Sequence, residues 1–163
     1  MVLIFRGCTT MDVHERIAGA EKLVAVFGYW PSFHDAEVLW LKMDRRPVRK
    51  DIFGPTLEMM VHTFEMTSEI GPDGAYVLRH HVLVHLRFHF VDLVKLENFN
   101  HQNAVYGIYF YDIRSNQCEF ADFEISLEEA WGLDGSFNCK AVEVVDVIPC
   151  NKEGEPLSVE SGQ

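Results

Sequence analysis

The chain has 163 residues, 48% hydrophobic and 24% charged, so it can bury a core without disulfides and is too apolar to stay disordered. Fourteen basic residues against 25 acidic ones leave a net charge of −11. That field repels nucleic acid and anionic membranes and attracts basic partners. No apolar run approaches the ~18 residues of a membrane span. The opening MVLIFRGCTTMD lacks the basic region and long apolar stretch of a secretory signal, so a cytoplasmic protein is expected. Cys8, Cys118, Cys139 and Cys150 show no CxxC spacing and are expected to be reduced thiols.

The spacing of Val13, Ile17, Ala20, Val24 and Phe27 predicts one amphipathic helix over 12–28. Asp12 and Glu15 stand in capping-box position, and Gly28 at the C′ position. Strands are predicted over 36–43 and 56–66. After the turn Gly71–Gly74, a long β-rich stretch runs from Tyr76 to residue 94. There Val82, Val84, Leu86, Phe88 and Phe90 alternate with His81, Leu83, His85, Arg87 and His89. One strand of that length would span ~60 Å, so a break is expected near Arg79–His81 or at Asp92. Residues 104–113 predict an aromatic-rich strand with Cys118–Ile125 as its hairpin partner. Residues 126–136 allow one short helical turn, and 139–148 predict a last strand with Val142, Val144 and Ile148 on one side. The expectation is a single α+β domain over residues 1–150, an N-terminal helix packed on a largely antiparallel β-sheet of six to seven strands. Residues 151–163 read as a polar, flexible tail.

Eight histidines invite a metal site, but His81, His85 and His89 stand ~13 Å apart at successive i, i+4 positions of a strand and cannot share one ion. A pair across strands, such as His62 with His85, is the remaining route; no metal and no cofactor are expected. Cys118 and Cys139, in apolar strands of an acidic chain, lack the electropositive setting of a nucleophile. GxSxG, P-loop, GxGxxG and HExxH motifs are all absent from the sequence. Two polar clusters remain: Trp30–Glu37, with His34, Asp35 and Glu37, and Asn98–Asn103, with Asn100, His101, Gln102 and Asn103. They can cap turns and satisfy buried backbone, or line a ligand pocket.

Between Arg114 and Lys140 there is no lysine or arginine, while Glu119, Asp122, Glu124, Glu128, Glu129 and Asp134 fall there among Phe120, Phe123, Trp131 and Phe137. This stretch is either a charged strand edge that discourages pairing or an acidic surface with aromatic anchors. Arg45, Arg46, Arg49 and Lys50 around Pro47 read as a solvated loop.

The run GYWPSFHDAEVLWLKMDR (28–45), followed by VLVHLRFHFVDLVKLENFNHQN (82–103), resembles the immunity protein 50 family of bacterial polymorphic-toxin systems. The likeness covers roughly residues 20–112. It implies a cytoplasmic, antitoxin-like protein, not an enzyme, that binds and neutralises a cognate toxin. The acidic, aromatic stretch supplies the surface expected to hold a basic toxin partner, at Asp122, Glu124, Glu128, Glu129, Trp131 and Asp134. A small enzyme or ligand-binding domain with a pocket between 30–37 and 98–103 is the alternative. A homo-oligomer pairing edge to edge through 105–111 is a third.

Overall fold

A computed structural model describes residues 13–158; the expected cap Asp12, and Cys8, lie outside the described residues. Of the residues whose spacing predicts the buried side, Val13, Ile17, Ala20 and Phe27 are buried, whereas Val24 is only half-buried and Leu23 takes the inward position beside it. The segment is not one helix. A 3-10 turn at His14–Arg16 is separated from the α-helix α1 (Ala20–Phe27) by Gly19, whose φ is 77°. Between them Ala18 pairs with a sheet edge: its N–H donates to the Val142 carbonyl at 3.1 Å, and its carbonyl accepts from Val144 N–H at 2.7 Å. The strand edge competes with the helix for this backbone and wins, because Gly19 can turn left-handed at little cost. A β-carbon on Gly19 would sit 2.3 Å from the Val144 oxygen. At the other end Gly28 closes α1 as expected, its N–H donating to Val24 at 2.7 Å.

Eight strands follow among the described residues, rather than six or seven. They are β1 (Glu37–Asp44), β2 (Thr56–Ile70), β3 (Tyr76–His89), β4 (Asp92–Glu97), β5 (Ala104–Asp112), β6 (Phe123–Trp131), β7 (Asp134–Cys139) and β8 (Ala141–Pro149). All pair antiparallel, in the order β4-β7-β6-β5-β1-β2-β3-β8. The long β-rich stretch is interrupted in both expected places. The register slips at His80 (φ 55°), and Phe90 (φ 55°) with Val91 ends β3 before β4. The expected helical turn over 126–136 is replaced by the β6–β7 hairpin. Cys118–Ala121 are loop rather than strand, and Cys118 is exposed. Ile148 does not continue the inward row of Val142 and Val144. A bulge between Val144 and Asp146 reverses the side, so Val147 packs on the core instead. On the side away from β6, strand β5 bonds to the 32–37 segment through Val105 and Ile108.

Strands β4 and β8 stand at opposite ends of the order, yet only Lys140 separates β7 from β8, and only two residues separate β3 from β4. Those short connections force the sheet to curl, so the half β4-β7-β6-β5 faces the half β1-β2-β3-β8. Phe88 of β3 meets Phe137 of β7 at 4.8 Å and Phe110 of β5 at 6.5 Å, ring centre to ring centre. Helix α1 packs against β8 and β3. Beyond Pro149 the chain turns back on itself, with Gly154 N–H donating to Asn151 O and Leu157 N–H to Pro149 O.

Gly19→Ala should lose about 2–4 kcal/mol, from left-handed strain plus the clash with Val144. Gly74, equally left-handed but with open space around its α-carbon, should lose only about 1 kcal/mol as alanine. Urea unfolding of the two variants checks this contrast.

Candidate functional site

The two polar clusters meet each other, chiefly through backbone. Strands β1 and β5 share one register pair, Glu37 with Ala104. Around that pair, Asp35 N–H donates to Val105 O, Val105 N–H to Ala36 O, and Val38 N–H to Asn103 O. Asn103, 2% exposed, completes the seam. Its amide nitrogen donates to Val38 O at 3.3 Å and Asn100 O at 2.9 Å, and its side-chain oxygen accepts from Asn100 N–H at 2.7 Å. Asn100 in turn accepts from the N–H groups of Gln102 and Asn103. Phe33 and Asp35 sit at φ 62° and 59°, the tight path that brings Ala36 back to Phe33.

The remaining members lie outside this joint. His101 is exposed, Gln102 reaches Glu37 only at 3.5 Å, and exposed His34 faces the Asp35 carboxylate at 3.1 Å. The cleft that His34 borders, about 260 Å³, takes Phe27, Tyr29, Phe33 and Phe64 but no residue of 98–103. The arrangement ties strands together.

The acidic stretch divides by direction. Asp122 is held inside a network, 3.1 Å from Lys140 Nζ and 3.8 Å from Arg16. Arg16 also pairs with Asp112 at 3.0 Å and lies 4.4 Å over the Phe123 ring. Phe123 and Phe137 belong to the core, and Phe120 stacks on Phe90 at 4.9 Å. Asp134 is half-buried, in register with Glu97 of β4. Glu124, Glu128 and Glu129 are exposed, and Trp131 is 57% exposed.

Beside them the structure places Tyr109 and Tyr111 of β5, in register with Ser126 and Glu124 and stacked 6.3 Å apart, with exposed Tyr106 nearby. Tyr109 O–H donates to Glu128 Oε2 at 2.9 Å. That bond to a carboxylate, with burial, raises the phenol's pKa. Its ring lies over Gly107, where a β-carbon would come within 2.8 Å. Sequence reasoning marked this strand as aromatic-rich but did not join its tyrosines to the acidic residues, because that pairing across β5 and β6 is a cross-strand relation.

The family described as immunity protein 50 matches residues 19–150. The chain belongs to the immunity protein 50 family. No curated protein and no solved structure matches it. The match runs from α1 through β8, so both the seam and the acidic face lie on the part shared with other immunity protein 50 chains.

The outer face of β2, β3 and β8 in this immunity protein 50 chain carries polar groups that neutralise one another. Arg87 bonds Glu58 at 2.7 Å and lies 3.4 Å from Glu143, while buried His89 meets Glu143 at 2.9 Å. Burial pushes both carboxyls up, but their hydrogen bonds and the Arg87 charge overcome it, so both pKa values fall below the ordinary range. His81, His85 and His89 indeed have separate partners. The cross-strand histidine pair is His62 with His81, 3.1 Å apart, and His85 instead approaches Glu58 at 3.4 Å. Among the described residues no three His, Cys, Asp or Glu side chains group as a metal would require. Burial raises the Cys139 thiol far above its ordinary value.

Asn103→Ala should cost about 2–3 kcal/mol by orphaning the seam's buried groups, and His34→Ala almost nothing, as read by denaturant midpoints. Stability should also fall with acid. Burial, and for His62 the neighbouring His81, lowers both imidazole pKa values. Below pH ~6.5 the unfolded chain therefore takes up protons that the native pair resists. The carboxyls add a further loss only in the more acidic carboxylate range. Melting temperature should drop between pH 7.5 and 5.5, and the double variant His62→Gln/His81→Gln should flatten that slope.

Proposed function

We propose that this member of the immunity protein 50 family neutralises a cognate toxin without chemistry of its own, binding it through the outer face of β5 and β6. The observation that carries the reading is the exposed pair Glu124 and Glu128 beside Tyr109 and Tyr111, with Tyr106, Glu129 and Trp131 also exposed at the far end of the same strand pair, on strands that contain no lysine or arginine. Unpaired carboxylates project a field over about a Debye length, ~8 Å at physiological salt, and so steer a basic partner. Tyrosine and tryptophan supply contact area at low entropic cost once it arrives. The partner is thus a toxin domain with a basic binding surface, and occlusion of that surface is the mechanism.

The triple variant Glu124→Gln/Glu128→Gln/Glu129→Gln should fold normally and bind the toxin with an association rate lowered about tenfold or more and a much weaker salt dependence. Trp131→Ala should act on dissociation instead. Surface-binding kinetics at two ionic strengths, beside growth protection in cells expressing the toxin, read both effects. A triple variant that associates as fast as the parent would place the interface elsewhere.

A further inference from the structure

Strand β1 begins at Glu37, opposite His62, so beyond His62 the rest of β2 has no strand on that side among the described residues. The segment from Tyr29 to His34 stands off that edge, and the cleft that His34 borders opens between them. A regular strand would turn Glu65 away from Phe64 and Met66. Here the ladder slips between Thr63 and Glu65, beside His80 at φ 55°, and all three border the cleft. Phe27, Tyr29 and Phe33 add three more aromatic rings to its wall. Glu65 is its one carboxylate, and no lysine or arginine lines it among the described residues. Tyr29 O–H donates to Glu65 Oε1 at 3.1 Å, and His80 Nε2 stands 3.5 Å from Oε2. Arg79, opposite Glu65 in register, turns to Glu69 instead. Glu65 is thus held by a phenol and an imidazole, with no lysine or arginine partner among the described residues.

These groups select the occupant by charge. An apolar group seated there would strip water from the carboxylate without replacing it, and an anion would be repelled. A cation is attracted by both parts of the wall, the aromatic rings and the carboxylate. At about 260 Å³ the cleft is smaller than the ~300–1,000 Å³ of drug-sized sites and suits a single side chain. A guanidinium suits it better than an ammonium, because its plane stacks on rings while its fork donates to Oε2, the oxygen Tyr29 leaves open. His34 on the rim meets the Tyr106 ring edge-on at 6.2 Å, and Tyr106 is exposed at the end of the β5–β6 face, so the cleft adjoins that face. We propose that the cleft between Tyr29–His34 and β2 receives one arginine side chain of the basic partner, with Glu65 meeting its charge and the lining rings its plane. The identity of that partner rests on the toxin reading; the affinity of the cleft for a guanidinium does not.

The probe is capped arginine, N-acetyl-arginine amide, with N-acetyl-citrulline amide as its neutral match in shape. In an NMR titration of the full chain at ~0.15 M salt, the arginine probe should shift the Tyr29, Phe64 and Glu65 resonances and saturate at ~1–10 mM. The citrulline probe should bind about tenfold more weakly or worse. Glu65→Gln, which keeps an acceptor for Tyr29, should weaken the arginine probe about tenfold. Tyr29 is 51% exposed, so Tyr29→Ala should fold as the parent does while losing about threefold in affinity with the missing ring. The triple variant Glu124→Gln/Glu128→Gln/Glu129→Gln should bind the probe like the parent. Loss of the probe in that triple variant would place the cation on the β5–β6 face, so this proposal would fall while the toxin reading stood. A toxin that ignores the triple variant removes that reading and leaves the affinity of the cleft intact. No saturable shift up to ~50 mM, equal binding of citrulline, or parent-like binding by Glu65→Gln or Tyr29→Ala overturns the proposal.

Discussion

The curled sheet depends on one buried amide. Its two halves are joined on one side by covalent connections so short that β7 and β8 cannot separate. On the other side they are joined by a seam with a single register pair between β1 and β5. A ladder of ordinary length would bind the halves through many backbone bonds; here Asn103 adds its side chain to the few that exist. Because the amide both donates and accepts, it satisfies groups of both clusters while sealed from water, where each such bond matters most. The core residues Phe88, Phe110 and Phe137 meet only because the halves are held face to face.

Charge is used in two opposite ways. On the outer face of β2, β3 and β8, Glu58 and Glu143 are sheltered and held by Arg87, with His89 bonded to Glu143. Such a network fixes strand register and projects little field. On β6, Glu124 and Glu129 are left to water, and Glu128 is touched by a neutral phenol rather than a cation. Exposure and pairing thus separate compensated carboxylates from those without a cationic partner, a distinction that counting residues cannot make.

How much of this was legible in the sequence follows from what each signal measures. Period-two alternation measures a half-buried strand, so the Val82–Phe88 row stands where the pattern puts it; β1 falls within a residue of the predicted 36–43, and β2 runs four residues past the predicted 56–66. Helical periodicity predicted four of the buried residues of 13–27, with Val24 in place of Leu23, but not their conformation, because the competitor for Ala18 is a strand far along the chain. The acid-rich stretch over 126–136 looked helical since glutamate is a poor strand former. Flanking strands on both sides supply its ladder regardless. A bulge at Val145 breaks parity, and with it the inference of face for Ile148. The two polar clusters were visible as unusual composition. That they are partners of each other is a long-range fact, and local pattern carries none of it.

The single-residue link at Lys140 has a consequence for how the molecule comes into being. Strand β8 follows β7 at once, yet it must lie between β3 and the Ala18 bridge, both laid down much earlier in synthesis. Until β8 has left the ribosome, β3 lacks its second neighbour, and the backbone at Ala18 has no edge to join. The last strand acts as a keystone. Nascent chains lacking it keep the apolar rows of β3 uncovered, and non-local pairing of this kind makes the final step slow.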